Sequence, residues 1–158
     1  MLKRLALQRH TPRKGPAGRF AIVASKYNRR YVDALLRAAK RELIRGKAES
    51  LRIIRVPGAF EIPAVVARVV SRPGPRLSAI ICLGVIFRGE TTHARQIADA
   101  VSLTLAQLQS EHKIAVIHGV YLFENQDQAR VRCLGRKHNR GIEVARTALE
   151  MARVMDSI

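Results

Sequence analysis

The sequence predicts an α/β fold in which a four-stranded parallel sheet carries helices on both faces. Short apolar runs alternate with segments of helical periodicity along the whole chain. The run at residues 78–83 has the length and composition of a strand that is buried on both faces. With 158 residues, 47% of them hydrophobic, the chain can fold as one domain with a sizeable core.

The first half of the chain predicts two strands and two helices. Apolar residues 20–24 form the first strand, and a helix follows over residues 31–45, with Gly46 at its end. The second strand covers residues 51–56. A second helix starts near Glu61, because valines recur after it at helical spacing.

The second half begins with the third strand, which we expect to end before Gly84. A glycine-containing loop then leads to a third helix that starts at Thr91 or Thr92, both good N-cap residues. Residues 114–117 predict the fourth strand. Two last helices are expected over residues 125–133 and 141–155.

Parallel strands need right-handed crossovers, and a strand order of 2-1-3-4 would place a switch in strand order between strands one and three. Ligands bind at such switch points, beyond the carboxyl ends of the strands. Residues 25–28 and 84–93 follow these two strands. The topology therefore predicts a binding crevice between these two segments.

The second segment also has the chemistry of a site. Free N–H groups at a helix start favour an anion, and Gly84 and Gly89 allow a ligand close to the backbone. His93 falls in the first turn, where a neutral imidazole can exchange protons near pH 7. The spacing alone leaves open a second interpretation, a capped helix with a surface histidine.

The charge is the unusual feature of the composition. Lys and Arg number 29 against 12 Asp and Glu, which gives a formal net charge of +17. Such a field attracts polyanions nonspecifically and also small phosphorylated substrates, and charge alone does not choose between them. The 4% aromatic content without tryptophan argues against a base-stacking surface for single-stranded nucleic acid.

Other features of the composition predict a soluble, cytoplasmic protein without a metal. No apolar run approaches the length of a membrane span, and the start of the chain lacks the apolar core of a secretory signal. The two cysteines form no disulfide framework, and the five histidines show no metal-ligand spacing. We interpret residues 1–18 as a basic arm and residues 19–158 as the folded domain.

Five motifs in order then resemble one known family. They cover residues 25–28, 56–63, 84–93, 118–129 and 139–141. From about residue 20 to residue 155 the chain resembles 6,7-dimethyl-8-ribityllumazine synthases, enzymes of riboflavin biosynthesis. The resemblance implies a flavodoxin-like three-layer sandwich. It also implies condensation of 5-amino-6-(D-ribitylamino)uracil with 3,4-dihydroxy-2-butanone 4-phosphate, without a cofactor.

The resemblance assigns roles to individual residues. His93 matches the proton donor and acceptor, and Arg132 matches the arginine that grips the phosphate. His118 stands where phenylalanine is usual, which predicts a more polar pyrimidine wall, and Arg140 stands where lysine is usual. The full set of substrate-binding positions is Tyr27, Asn28, Ala59, Phe60, Glu61, Val85, Ile86, Phe87, Glu90, Thr91, His118, Arg132 and Arg140.

The resemblance also predicts an oligomer. Family sites form between neighbouring subunits of a pentamer, with the residues at positions 118 and 132 supplied across the interface, and twelve pentamers can form a hollow shell of 60 subunits. A functional link to riboflavin synthase follows from the product. The alternative is a catalytically weak or inactive shell or scaffold, similar to these enzymes, that packages anionic cargo, and it depends on the high charge and on His118.

Overall fold

The computed structural model describes residues 17–158 and confirms the expected α/β architecture. Four strands form one parallel sheet in the order β2-β1-β3-β4: β1 (Arg19–Ser25), β2 (Ser50–Val56), β3 (Ala79–Phe87) and β4 (Ala115–Phe123). Five helices connect or follow the strands: α1 (Arg29–Arg45), α2 (Ile62–Val70), α3 (His93–His112), α4 (Gln126–Ala129) and α5 (Arg140–Ser157). The predicted order of 2-1-3-4 is therefore correct.

The sheet separates two apolar layers. Alternate residues of β1, such as Phe20 and Ile22, pack with α1 and α5 on one face. The residues between them, Ala21 and Val23, pack with α2 and α3 on the other. Because both faces are covered, β1 and β3 are apolar at almost every position, and this gives the continuous hydrophobic runs seen in the sequence.

β3 and β4 extend further than the sequence predicted. β3 continues through Gly84 to Phe87, and β4 continues past residue 117 to Phe123. Gly84 lies within β3 because of packing: a Cβ there would be 3.2 Å from Ala59 Cβ and 3.2 Å from Val120 Cγ1. The glycine therefore allows the turn before α2, at Ala59, and β4 close to β3, where the sequence suggested the start of a loop.

Two helix ends also differ in detail. α1 ends at Gly46 as expected, but Gly46 has a φ of −75° and Lys47 takes the left-handed conformation, with a φ of 61°. A Cβ on Gly46 would lie 2.5 Å from Leu149 Cδ1, so close packing against α5 explains the glycine. The helix predicted over residues 125–133 is a single α-turn, α4, that continues into a π-turn, Arg130–Leu134.

Of the predicted basic arm, residues 1–18, the first 16 residues lie outside the described part of the chain, and residues 17 and 18 lie within it. The Ala17 amide donates to the Lys47 carbonyl at 2.9 Å, and the Glu49 amide donates to the Gly18 carbonyl at 2.8 Å.

Among residues 17–158, no helix combines the length and apolar character needed to cross a membrane.

Candidate active site

The loops after β1, β2 and β3 meet at the switch in strand order. After β1, the Lys26 amide donates to the Val56 carbonyl at 2.8 Å, and the Tyr27 amide donates to the Pro57 carbonyl at 3.0 Å. The Asn28 side chain then donates from Nδ2 to the Val85 carbonyl of β3 at 2.7 Å. These bonds hold the two segments that the topology selected against each other, and the crevice predicted between them stays a prediction.

The end of β3 offers backbone groups to this crevice. The ladder between β1 and β3 ends at Leu83, whereas the ladder with β4 continues to Phe87. Beyond Leu83, one edge of β3 therefore has no strand partner, although Asn28 already occupies the Val85 carbonyl. The Phe87 ring packs edge-on against Tyr31, with ring centroids 5.5 Å apart, so its side chain belongs to the core.

Two aromatic rings and a carboxylate lie on the loops that follow β1 and β2, and we call Tyr27, Phe60 and Glu61 the rim. Tyr27 and Phe60 are 68% and 60% exposed, although large aromatic side chains usually bury most of their surface. Ala59–Glu61 forms a 3₁₀ turn, and Glu61 Oε2 accepts a hydrogen bond from the Gly58 amide at 2.8 Å. This rim can therefore stack on a planar ring and accept hydrogen bonds from hydroxyl groups.

Gly58 brings the two halves of this rim together. A Cβ at this position would lie 2.8 Å from Tyr27 Cδ2 and 2.9 Å from Glu61 Oε2. Both distances are too short for a real Cβ contact, so a larger residue would displace the ring or the carboxylate. Any residue can adopt the φ of Gly58, −130°, so the need for glycine comes from these two contacts and not from the backbone conformation.

A cavity of about 280 Å³ opens at the start of α3, and we call it the α3 cavity. It is lined with Arg88, Gly89, Glu90, Thr91, Thr92, Arg95, Leu122 and Glu124. The Arg88 guanidinium pairs with the Glu124 carboxylate at 2.9 Å, and this ion pair joins the ends of β3 and β4. Arg95 lies in the first turn of α3 and pairs with no carboxylate within residues 17–158.

Arg88 and Arg95 were not predicted as site residues from the sequence, although the position of Arg95 carried a signal. A cation in the first turn of a helix is unfavourable, because that end of the helix dipole is positive. Backbone N–H groups of the helix start, two threonine hydroxyls and two guanidinium groups meet at the α3 cavity, together with two carboxylates, one of which is paired with Arg88. This combination suits a phosphate or another anion.

His93 is the first residue of α3, and it is exposed beside this cavity. Its backbone N–H donates to Thr91 Oγ1 at 3.4 Å, whereas the Thr92 side chain makes no capping hydrogen bond. Its imidazole follows directly after the anion-binding groups in the chain. Proton exchange with a reacting group beside an anion is therefore chemically feasible there.

The structure places His118, Arg132 and Arg140 away from this group. His118 lies midway along β4 and contacts Ser102 of α3. Arg132 lines a separate, shallow depression of about 560 Å³ together with Phe123, Asp127, Gln128 and Val131. One chain thus does not bring these three residues into the crevice with His93.

Arg140 begins α5 on the opposite face of the sheet from His118. Its guanidinium carbon lies 5.9 Å above the centre of the Tyr121 ring, and it pairs with Glu143. Burial raises the pKa of Tyr121 to about 12, although the charge of Arg140 opposes this shift. Tyr121 is therefore a neutral phenol at physiological pH and supports Arg140 as an aromatic surface.

Among the described residues, no group of three or more His, Cys, Asp or Glu side chains could hold a metal ion. Cys82 and Cys133 are buried free thiols. Burial raises the pKa of both thiols, that of Cys133 to about 12. Neither has the thiolate character that a nucleophilic cysteine needs.

Comparison with known proteins agrees with the geometry. The family model of 6,7-dimethyl-8-ribityllumazine synthase matches residues 17–156. A relative of this name from Stenotrophomonas maltophilia is 38% identical over 144 residues, which cover 90% of this chain and 92% of the relative. One from Xanthomonas oryzae pv. oryzae is 39% identical and covers 89% and 92%, respectively. One from Pyrococcus furiosus is 40% identical and covers 89% and 87%.

These matches span nearly all of the described residues and include every motif that carried the resemblance. The parallel sheet of order 2-1-3-4 is consistent with the flavodoxin-like fold of the family. The chain therefore belongs to the 6,7-dimethyl-8-ribityllumazine synthase family of transferases.

Proposed function

We propose that this protein condenses 5-amino-6-(D-ribitylamino)uracil with 3,4-dihydroxy-2-butanone 4-phosphate to 6,7-dimethyl-8-ribityllumazine, phosphate and water. Family membership implies small-molecule substrates, and the names of the relatives give the product. The observation that carries the choice of substrates is a cavity suited to an anion at the start of α3, together with two exposed aromatic rings beside the turn Ala59–Glu61, which packs against α3. One substrate carries a phosphate, and the other carries a planar ring with a hydroxylated chain.

The butanone phosphate would occupy the α3 cavity. Glu90 and Thr91 lie at the start of α3, where backbone N–H groups can bind the phosphate oxygens. Arg88 and Arg95 bring guanidinium groups to the same cavity, which Glu90 and Glu124 also line. Guanidinium and backbone N–H groups that donate to the phosphate favour its departure, because the leaving group takes the electron pair of its C–O bond.

The uracil substrate would occupy the rim. Tyr27 offers a ring face, and Ala59, Phe60 and Glu61 lie where the ribityl chain would extend. Asn28 holds the end of β3 beside this rim, and Val85, Ile86 and Phe87 form the strand end that faces it. The two substrates would then meet between the rim and the α3 cavity.

His93 would move the protons of the reaction. The amine of the uracil attacks the ketone carbon and gives up both of its protons, and the carbonyl oxygen takes up two protons and leaves as water, which gives an imine. Loss of a proton from the carbon next to the imine lets phosphate leave, and the resulting enol becomes a carbonyl. Attack of the second amine on this carbonyl, with loss of a second water, closes the ring. These steps need proton transfer and substrate alignment, and an imidazole near pH 7 suits both directions of transfer.

We further propose that complete sites form between neighbouring subunits of a pentamer, free or within a 60-subunit shell. His118, Arg132 and Arg140 do not reach the crevice of their own chain, which supports a role in a neighbour's crevice. Family membership implies an oligomer. The product would be the substrate of riboflavin synthase, and we place the reaction in the cytoplasm. The division between an arm at residues 1–18 and a domain at residues 19–158 stays a prediction.

Subunit mixing tests both the reaction and the shared site. His93→Ala should slow formation of the fluorescent lumazine moderately, and Arg132→Ala should slow it more because the phosphate loses a ligand. Co-expression of the two variants in one ring should restore about one site in four, since each heterologous interface pairs one side of a protomer with the other side of its neighbour. No gain over the separate variants would contradict shared sites, and no turnover by the wild type would contradict the reaction.

A second candidate function, packaging of anionic cargo, is favoured by the surface of α1. Five exposed cations of this helix have no carboxylate partner within residues 17–158: Arg30, Arg37, Lys40, Arg41 and Arg45. Nucleic acid that co-purifies and leaves with salt, together with absent turnover, would favour packaging over catalysis. Clean protein with turnover would exclude it.

A further inference from the structure

His118 has partners at both ring nitrogens within its own chain. Nε2 lies 2.7 Å from Ser102 Oγ on α3, and the Val120 amide donates to Nδ1 at 3.4 Å. Ser102 lies 16 residues before His118, and neither the motifs nor the resemblance assigned it a role. The ring is therefore fixed from two sides, by the neighbouring helix and by its own strand.

The directions of these hydrogen bonds follow from Ala98. Ser102 Oγ lies 2.7 Å from the Ala98 carbonyl oxygen, which has no hydrogen, so the hydroxyl proton points there. Ser102 Oγ must then accept a hydrogen bond from His118, and Nε2 carries the ring proton. Because the Val120 amide also donates, Nδ1 is unprotonated. His118 is thus a neutral imidazole in a single tautomer.

This arrangement decides what His118 can offer to a ligand. With both nitrogens occupied, the exposed His118 side chain has no free donor or acceptor, so what it can still offer to a ligand is its ring face. The Ser102 hydroxyl is likewise not an activated nucleophile, because its proton goes to a carbonyl and not to the imidazole. A flat, neutral ring suits stacking on a planar heterocycle.

We propose that Ser102 is a positioning residue that holds His118 as a neutral stacking surface for the pyrimidine ring of the uracil substrate, with no role for His118 in proton transfer. This inference rests on the proposed function and specifies how its pyrimidine is held. The more polar wall expected at this position stays a prediction, and the proposal is an alternative to it. With its Nε2 hydrogen-bonded to Ser102, His118 would contact the pyrimidine through its ring face, as a phenylalanine at this position would.

A double-mutant cycle tests the proposal through binding of the uracil substrate alone, measured by calorimetry. Ser102→Ala should weaken this binding about threefold to tenfold, the equivalent of one neutral hydrogen bond. Ser102→Thr keeps the hydroxyl and should restore the affinity. His118→Phe keeps a ring at this position without the hydrogen bond, so Ser102→Ala should have no further effect on the affinity in that background.

Equal weakening by Ser102→Ala in both backgrounds would overturn the proposal, because Ser102 would then not act through His118. The same holds if Ser102→Ala has no effect in the wild type, or if His118→Phe abolishes turnover. The assembly mass of each variant controls for misfolding. If the four proteins of the cycle bind the uracil substrate as expected but the wild type forms no lumazine, the proposed reaction fails and this inference stands. If the wild type does not bind the uracil substrate, the inference fails.

The tautomer provides a measurement that does not need a substrate. In sedimented protein with ¹⁵N-labelled histidine, solid-state NMR should show one ring with a protonated Nε2 and a bare Nδ1 that disappears in His118→Phe. In Ser102→Ala, that ring should lose its single tautomer, whereas Ser102→Thr should retain it. A protonated Nδ1 in the wild type would overturn the assignment.

Discussion

Asn28 offers the sharpest test of how the crevice is built. It lies between β1 and α1 in the left-handed conformation, with a φ of 56°, and its side chain donates to the Val85 carbonyl at 2.7 Å. Its own carbonyl accepts from the amides of Tyr31 and Val32, at 3.0 and 3.2 Å. Asn28 therefore starts α1 and also fixes the end of β3.

The structure separates two costs of replacing Asn28. Alanine would lose the hydrogen bond, about 1 kcal/mol, and would adopt the left-handed conformation, about another 1 kcal/mol. We expect Asn28→Ala to lower the free energy of unfolding by about 2 kcal/mol. Glycine adopts this conformation freely, so Asn28→Gly should lose only about 1 kcal/mol, for the hydrogen bond.

Urea unfolding measures both values, at one protein concentration because the stability of an oligomer depends on it. Lys113→Gly is the matched control: Lys113 has a φ of 51° at the end of α3, far from the crevice, so this change should not destabilise the protein. Both Asn28 variants should raise KM for the uracil substrate. Equal destabilisation by alanine and glycine would refute the conformational cost, and an unaffected Asn28→Gly would refute the hydrogen bond.

Three more outcomes follow from other parts of the structure. Gly58→Ala places a Cβ 2.8 Å from the Tyr27 ring, so it should raise KM for the uracil substrate severalfold with little loss of stability; an unchanged KM in steady-state kinetics would contradict the rim assignment. Cys82 and Cys133 should resist alkylation in the native protein and react after unfolding, as mass spectrometry would show, because burial raises both thiol pKa values; rapid native labelling would contradict their placement. Partial burial lowers the pKa of His118 from 6.5, so the unfolded chain binds more protons and stability should fall as the pH drops below about 6.5. His118→Phe should remove this part of the decline in urea midpoints between pH 7.5 and about 5.5, and an identical decline would contradict the shift.

The periodic parts of the fold were predictable from the sequence. Strands β1 and β2 and helices α1 and α5 fall within two residues of their predicted bounds, because their apolar spacing matches the face they bury. The ends of β3 and β4 were not predictable. Gly84 resembles a loop residue in the sequence, and only its distances to Ala59 and Val120 show why a strand contains it.

The candidate site divides in the same way. Its position at the switch in strand order followed from the alternation of strands and helices, and its residue types followed from the motifs. The sequence did not reveal Gly58 as the point of contact between Tyr27 and Glu61, or Arg95 as a residue of the α3 cavity. Such roles depend on side chains from different loops that come within a few ångströms of each other.

The sequence by itself determined the layered parallel architecture, the family and the place of the crevice, because local periodicity and strand connectivity are written in consecutive residues. Only the tertiary structure decided which hydrogen-bonding groups of the site residues are already engaged by other residues of the chain. Val85 gives its carbonyl to Asn28, and His118 gives Nε2 to Ser102. A hydrogen bond between residues far apart in the chain leaves no periodic trace, yet it fixes the chemistry that each of them can still perform.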